Sequence, residues 1–177
     1  MRDEYWSIFA RKTFNLNDPS RITELILHIE FDDGYIAYIN GVEVHSEKLS
    51  SPAAYDDAAS DHEAVCESVP HYDISEFISA LAPGTNVLAL QVHNQRLNSS
   101  DFIFIPALSA VADPPAGDVE PDGDIDLNDL ASMALSWQAD SIDANYNPYC
   151  DIDSDGGDGK VDVFDLLVLA DNWLSEF

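Results

Sequence analysis

The sequence has few basic residues: seven Lys and Arg stand against 34 Asp and Glu, and the formal net charge is −27. Nucleic acids and anionic membrane surfaces are bound by clustered Lys and Arg. The composition therefore argues against both as partners. Hydrophobic residues make up 46% of the chain, which is typical of a folded protein and not of a disordered acidic tail.

Long apolar runs are also missing. No segment reaches the roughly 18–20 apolar residues of a transmembrane helix, so we expect no membrane insertion. The N-terminal sequence Met-Arg-Asp-Glu-Tyr-Trp lacks the apolar stretch of a signal peptide. Either a signal has been removed or the chain is a fragment of a longer secreted protein.

Cysteine is scarce, with Cys66 and Cys150 in different halves of the chain. Because there is no Cys-x-x-Cys pair, a zinc or redox site is not expected. Two interpretations remain open. The cysteines form a disulfide between the halves, or both are buried free thiols.

Catalytic signatures are weak. The sequence has no nucleophile elbow and no zinc-binding His pair, and its five histidines are scattered. The adjacent Asp32 and Asp33 resemble a pair of catalytic carboxylates, but next to Gly34 we interpret them as turn residues. We therefore expect a protein that is not an enzyme.

The composition changes at residues 113–117, where Asp-Pro-Pro-Ala-Gly is typical of a short, stiff connector. This predicts a domain at residues 1–112, a Pro-rich linker at 113–117 and a second domain at 118–177.

The first domain has the pattern of β-strands. Strands are expected at 22–31, 35–39, 42–44, 86–93, 102–105 and 107–111, with a break at Pro106. Asn40-Gly41 is a type I′ hairpin signal, residues 46–64 suggest a long exposed loop, and 73–81 have helical spacing with Asp73 as the N-cap. The fold class predicted is mainly β: an antiparallel β-sandwich, followed by a small all-α module.

That module contains a motif that occurs twice, each copy followed by an amphipathic helix ending in Trp137 or Trp173. The first copy fits the twelve-residue calcium-loop pattern without gaps. Gly123 occupies the sharp turn at position 6, and Ile125 anchors the loop at position 8. The predicted ligands, at positions 1, 3, 5, 7, 9 and 12, are Asp118, Glu120, Asp122, the carbonyl of Asp124, Asp126 and Asp129.

The second copy is longer. Counting back from its closing acid, the ligands at positions 12, 9, 7 and 5 are Asp165, Asp162, the carbonyl of Lys160 and Asp158. Asp151 and Asp153 then lie three residues too far upstream. A bulge at residues 154–157 is expected to let both reach the metal, with Asp155 either a further ligand or solvated. Two Ca²⁺ sites are therefore predicted.

The segments Gly117–Leu130 and Asp158–Leu166 resemble a dockerin, the duplicated calcium-loop module that binds extracellular proteins to cohesin receptors. The resemblance implies calcium at both loops and a cohesin-like protein partner. The residues before the closing acids, Leu127-Asn128 and Val163-Phe164, differ from the small hydroxyl residues common there in cellulosomal dockerins. The terminal Trp of each copy is also unusual for that group.

The first domain is similar to galactose-binding-like jelly-roll sandwiches, through residues 11–14, 32–44, 73–75 and 83–92. These occur in carbohydrate-binding modules and in sugar-binding domains of glycosidases. The family usually has further sequence before the Lys-Thr-Phe strand. If that sequence is absent, the sandwich lacks an edge strand or leaves a groove open, and an open edge is a site where a strand from another chain can be added.

Together the two resemblances imply an extracellular or cell-surface attachment protein, calcium-stabilised and not catalytic. It is expected to dock to a receptor or to copies of itself, in the extreme case as a filament subunit. The alternative is a carbohydrate-binding module of a larger secreted polysaccharide-degrading enzyme.

Overall fold

The structure is a computed structural model that describes residues 3–65, 69–153 and 157–173. The chain divides into two compact units, Met1–Ala112 and Asp113–Phe177. The first unit contains β1 (Ser7–Leu16), β2 (Ile22–Asp32), β3 (Gly34–Ile39), β4 (Val42–Glu47), β5 (His71–Asp73), β6 (Gly84–His93) and β7 (Ile103–Ala112), with 3-10 helices at Pro19–Arg21 and Ser75–Ala80.

The strands form two antiparallel sheets, one in the order β1-β6-β3-β4 and the other in the order β5-β2-β7. Alternate residues of β2, such as Leu25, Leu27 and Ile29, are buried together with Tyr35 of β3 and Leu90 of β6. The two sheets therefore share one hydrophobic core, which is the layered arrangement of a β-sandwich. The mainly β, antiparallel character predicted from the sequence is confirmed.

The hairpin between β3 and β4 is confirmed by its backbone. Asn40 and Gly41 have φ angles of 51° and 86°, as a type I′ turn requires. The Asn40 side chain also accepts a hydrogen bond from the Val87 N–H (2.8 Å) and donates to Asn86 Oδ1 (2.7 Å). The turn residue is thus tied to the neighbouring strand β6.

Three local predictions were wrong. The segment 73–81 is not an α-helix: Asp73 belongs to β5 and pairs with Ile26 of β2, and Ser75–Ala80 form a 3-10 helix. The predicted capping by Asp73 is retained in part, because its carboxylate accepts a hydrogen bond from the Ser75 N–H (2.9 Å). Pro106 does not break β7, because β7 lies at a sheet edge where a missing N–H is tolerated. The segment 46–64 is not simply an exposed loop, since Leu49 and Ala59 are buried against Ile36.

The second unit contains α1 (Leu127–Leu135), α2 (Val163–Asp171) and a 3-10 helix at Pro148–Cys150, and an isolated β-bridge joins Asp140 to Lys160. Helices of nine residues bury little surface alone. Within the described part of this unit, the shared core contains six buried residues: Val119, Ile125, Met133, Cys150, Val161 and Leu169. No helix in the described part of the chain is long and apolar enough to span a membrane.

The apolar helix faces predicted from the sequence are confirmed in part. The sequence places Leu130, Met133, Ala134 and Trp137 on one helical face and Leu166, Leu169, Ala170 and Trp173 on the equivalent face of the second helix; Leu166 and Trp173 are partly buried against the core. Met133 and Leu169 are buried, whereas Ala134 and Ala170 are exposed. The buried face begins instead at the closing carboxylates Asp129 and Asp165, which turn inward from the first helical turn. Cys150 is a buried thiol, and burial raises its pKa. Cys66 lies outside the described residues, so its pairing stays a prediction.

Candidate metal centre

Both acidic loops run into a helix through a capping box. Asp126 precedes α1 and accepts a hydrogen bond from the Asn128 N–H (2.6 Å), while Asp129 accepts from the Asp126 N–H (2.7 Å). Asp162 and Asp165 make the same reciprocal pair at α2, with Phe164 N–H at 2.9 Å and Asp162 N–H at 2.7 Å. The predicted ligands at positions 9 and 12 are therefore held rigidly at each helix start.

Each closing aspartate also accepts hydrogen bonds from backbone N–H groups near the start of its loop. Asp129 Oδ1 accepts from the Val119 and Glu120 N–H groups at 2.6 and 3.2 Å. Asp165 Oδ1 accepts from the Ile152 and Asp153 N–H groups at 2.6 and 3.0 Å. Both side chains are 0% exposed, and each accepts three backbone N–H bonds in total. An ionised carboxylate has about four acceptor positions, so each keeps room for a further ligand.

The first aspartate of each loop closes the turn around the glycine. Asp118 accepts from the Asp122 and Gly123 N–H groups (3.2 and 3.1 Å), and Asp122 accepts from the Asp124 N–H (3.2 Å). Gly123 has a φ of +101°, a conformation that favours glycine.

In loop two, Asp151 accepts from Asp158 and Gly159 N–H (2.9 and 2.8 Å), and Asp158 accepts from Lys160 N–H (3.0 Å). Gly159 has a φ of +91°, so the turn at position 6 has the same conformation in both loops.

These contacts define which residues of the two loops are equivalent. Asp118 and Asp151 are 33 positions apart, whereas Asp122 and Asp158 are 36 apart. Three additional residues therefore lie between Asp153 and Asp158. The structure places Asp151 and Asp153 at positions 1 and 3 despite this insertion. Ser154, Asp155 and Gly156 are outside the described residues, so the role of Asp155 stays a prediction.

The two loops differ in how closely their carboxylates approach. Asp151, Asp153 and Asp165 each offer an oxygen, and these oxygens lie within 4.8 Å of one another. Within residues 118–129, all of them described, no three carboxylates meet that distance. Loop two has the denser cluster of oxygen ligands, although its sequence fits the pattern less well.

Crowding of negative charge changes the acidity of loop one. Burial raises the pKa of Asp118, and the loss of solvation together with nearby Asp122 raises the pKa of Glu120. The charge of Asp122 raises the pKa of Asp124. Each shift disfavours the ionised form, and a bound cation acts in the opposite direction.

The remaining predicted positions anchor the loops. Ile125 and Val161, at position 8, are 1% and 0% exposed. Val161 also pairs with the segment after α1, accepting from the Gln138 N–H (2.8 Å) and donating to the Ala139 carbonyl (3.0 Å). The Lys160 ammonium lies 3.7 Å from the Asp140 carboxylate, so its side chain pairs with a residue outside the loop. The predicted ligand at this position is the backbone carbonyl of Lys160.

Tyr146 is a site residue that the sequence patterns do not indicate. Its hydroxyl donates a hydrogen bond to Asp151 Oδ2 at 2.6 Å, and this bond raises the pKa of Tyr146 to about 12. Tyr146 precedes the loop, outside the twelve-residue pattern, and so no spacing rule could have identified it.

The helix starts also present apolar side chains. Leu127 and Val163 occupy equivalent first positions of α1 and α2 and are 70% and 51% exposed, and Phe164 is 59% exposed. Leu167, one turn further along α2, is 53% exposed. We call these four residues the helix-start surface.

Three histidines of the first unit have structural partners. His93 is 0% exposed, its Nδ1 donates to the Asp57 carbonyl (2.6 Å), and its Nε2 contacts the Gln91 amide (2.8 Å). His45 Nδ1 lies 2.8 Å from the Tyr35 hydroxyl. The His62 ring stacks on Phe31 with centroids 4.2 Å apart.

No family model and no curated protein matches the chain. Among solved structures, an α-L-rhamnosidase from Aspergillus terreus is 20% identical with a TM-score of 0.40 over 60% of this chain and 12% of that protein. An α-L-rhamnosidase from Streptomyces avermitilis is 20% identical with a TM-score of 0.37 over 69% and 12%. A β-D-mannosidase from Dictyoglomus thermophilum is 13% identical with a TM-score of 0.32 over 49% and 9%.

The chain therefore spans about a tenth of the length of these glycosidases. Similarities this weak decide neither its fold nor its function.

Proposed function

We propose that the second unit is a dockerin-like module that binds two Ca²⁺ ions, and that the chain is a non-catalytic extracellular attachment or assembly protein. The observation that carries this proposal is the shared hydrogen-bond scheme of the two loops. In both copies the aspartates at positions 1, 5 and 12 accept hydrogen bonds from equivalent backbone N–H groups. This scheme is kept in loop two despite its three-residue insertion. An acidic turn without a ligand gives no reason for such duplication.

The residues present fit a hard cation. Every predicted side-chain ligand offers carboxylate oxygen, which Ca²⁺ prefers in sets of about six to eight oxygen ligands. The residues that would hold the first ion are Asp118, Glu120, Asp122, Asp126, Asp129 and the carbonyl of Asp124; for the second they are Asp151, Asp153, Asp158, Asp162, Asp165 and the carbonyl of Lys160. A bound ion would neutralise mutually repelling charges and hold each loop against its helix.

The helix-start surface supports a docking role. Leu127 and Val163 are at the positions just before the closing acids where the dockerin resemblance places receptor contacts. Apolar side chains exposed at duplicated positions of a chain with a net charge of −27 are suited to burial against a partner. The partner is a cohesin-like receptor or another copy of the chain.

Replacing Phe164 with Asp is expected to weaken docking at least about tenfold, because a charge would have to be buried at the contact. The change is tolerated in the free protein, since residue 164 is exposed and lies in the first turn of α2, where an acidic side chain is favourable. Sedimentation velocity of the full chain in calcium measures self-assembly, and binding to immobilised cohesin modules measures receptor docking.

The matched control is Tyr55→Ser, which removes an aromatic that is 71% exposed in the first unit. It should leave docking and bound calcium unchanged. A calcium-loaded chain that neither self-associates nor binds any cohesin would contradict the docking role while leaving the metal sites intact.

A second candidate function is carbohydrate binding by the first unit. A cleft of about 590 Å³ is lined by residues that include the aromatic Phe9 and Tyr38 and the polar Arg11, Asn40 and Gln91. Aromatic rings beside hydrogen-bonding groups suit sugar recognition. A glycan array separates the two candidates. Binding that is lost in Phe9→Ala and persists in EGTA favours the carbohydrate function, and a blank array with calcium-dependent assembly favours attachment.

A further inference from the structure

A second cluster of acidic side chains lies in the first unit, away from the duplicated loops in sequence. Asp32, Glu63 and Asp101 each offer a carboxylate oxygen, and the three oxygens lie within 4.8 Å of one another. The sequence patterns gave no reason to combine these residues, and Asp32 was interpreted as part of a turn.

The fold brings three chain segments together at this point. Asp32 ends β2 and pairs with Ile103 at the start of β7, so Asp101 lies just before the paired strand. Glu63 lies on the segment after β4. The neighbouring Asp33 fixes that segment: its Oδ1 accepts from the His62 N–H (3.2 Å), and its Oδ2 accepts from the Gln95 N–H (2.7 Å). Asp33 therefore fixes the segment that carries Glu63, while Asp32 forms the cluster with Glu63 and Asp101.

Asp32 is the independent indication of a ligand. Its side chain is 3% exposed, yet within the described ranges its carboxylate accepts no hydrogen bond. A buried carboxylate without hydrogen bonds or a charge partner is strongly unfavourable. Its oxygen lies within 4.8 Å of carboxylate oxygens of Glu63 and Asp101, and among the described residues no Lys or Arg forms an ion pair with any of the three. The charge of nearby His62 acts in the favourable direction but ranks below the burial and the carboxylate charges that oppose ionisation of Asp32. A cation bound among the three carboxylates would offset their mutual repulsion.

The surroundings select the kind of cation. Glu63 and Asp101 border a polar cavity of about 300 Å³ whose lining includes Asn98 and Ser99, and Ser99 Oγ donates to Asp101 Oδ1 at 3.2 Å. The His62 ring nitrogen Nδ1 already donates to the Phe31 carbonyl at 3.1 Å. The three clustered side chains offer only carboxylate oxygens, and the cavity leaves room for water ligands. Oxygen sets of this kind suit Ca²⁺ better than zinc or copper.

The electrostatics agree with the geometry. Burial, followed by the charges of Asp33, Asp101 and Glu63, raises the pKa of Asp32 to about 6.

We propose that Asp32, Glu63 and Asp101 bind a Ca²⁺ ion at the end of the β-sandwich, independently of the two C-terminal loops. The ion joins the end of β2, the start of β7 and the segment around Glu63. Its role is to fix this end of the sandwich, where the cavity opens beside Asn98 and Ser99.

Calcium titration of the full-length chain tests the proposal, with calorimetry for the number of sites and amide NMR spectra for their location. Wild-type protein should show calcium-dependent shifts at the amides of Asp33, Gln95 and Ile103. Asp101→Asn and Glu63→Gln, both at exposed residues, should each weaken this site at least about tenfold and leave the loop signals around Gly123 and Gly159 unchanged. The matched control, Glu24→Gln with Asp56→Asn, removes two exposed acids outside the cluster.

The outcomes separate this site from the loop sites. Calcium-dependent shifts at the sandwich amides, without shifts at the loop amides, would support the sandwich site and contradict calcium binding by the two loops. Unchanged binding and unchanged sandwich amides in both Asp101→Asn and Glu63→Gln overturn it, whatever the loops do. Both variants alter exposed residues and should therefore fold. The amide spectra of the sandwich report directly whether the fold is retained.

Discussion

Chelation of calcium with EGTA is expected to unfold the second unit while the β-sandwich stays folded. Among the residues that the structure describes, the second unit has six buried core residues against fourteen in the sandwich core. A ligand present at 100 times its Kd stabilises the folded state by about 2.7 kcal/mol per site, so two sites contribute about 5 kcal/mol. Small domains have a total stability of about 5–15 kcal/mol. For a unit whose small core places it near the lower end of that range, loss of both ions removes most of the free energy of unfolding.

Tryptophan fluorescence measures this unfolding, because Trp173 packs against the small core and Trp137 follows α1. A Trp6→Phe background removes the only other tryptophan. Thermal melts in calcium should give two transitions, and EGTA should abolish the one that tryptophan reports. The sandwich transition should persist, at a somewhat lower temperature if its own site is occupied. Identical fluorescence and melting in calcium and in EGTA would contradict calcium stabilisation.

Replacement of either closing aspartate with Ala is expected to destabilise the second unit by about 3 kcal/mol or more, even without metal. Asp129 and Asp165 are fully buried, and each accepts three backbone N–H bonds. Each N–H left without a partner costs about 1–3 kcal/mol when it stays buried. Denaturant unfolding, followed by the same tryptophan signal at a low and a high calcium concentration, separates this cost from the loss of metal binding.

Asp124→Ala is the control for the closing-aspartate variants. This carboxylate is exposed, and its predicted metal contact is the backbone carbonyl, which alanine retains. Its effect on the free energy of unfolding should stay within about 0.5 kcal/mol. Equal denaturation midpoints for Asp129→Ala, Asp165→Ala and Asp124→Ala would show that the closing carboxylates do not support the loops as described.

Much of the sandwich could be predicted because its signals are local. The alternation in 22–31 and the Asn40-Gly41 turn determine β2 and the β3–β4 hairpin without reference to distant residues. The failures depend on long-range contacts. Asp73 leaves the expected helix because it pairs with Ile26, and Pro106 is tolerated because β7 has a neighbour on one side only.

The same distinction applies to the sites. The carboxylates of the two loops could be listed from spacing, but counting back from Asp165 leaves Asp151 three residues out of register. Its equivalence to Asp118 follows only from the hydrogen bonds that it accepts from the Asp158 and Gly159 N–H groups. The contact from Tyr146 could not be predicted, because it lies outside the repeated pattern. Asp32 and Asp33 are adjacent and chemically identical, yet one accepts two backbone N–H bonds and the other faces Glu63 and Asp101. Only the packing of three distant segments distinguishes them.

The measurement that tests the calcium-module proposal most directly is the number of Ca²⁺ ions bound by the full chain before and after a matched change in both loops. Asp122→Ala with Asp158→Ala alters the equivalent exposed position 5 of each loop, and Glu24→Ala with Asp56→Ala removes the same charge elsewhere. Calorimetric titration should show two sites weakened at least about tenfold in the loop variant and none in the control. Equal numbers and affinities of bound calcium in the two variants would contradict the account.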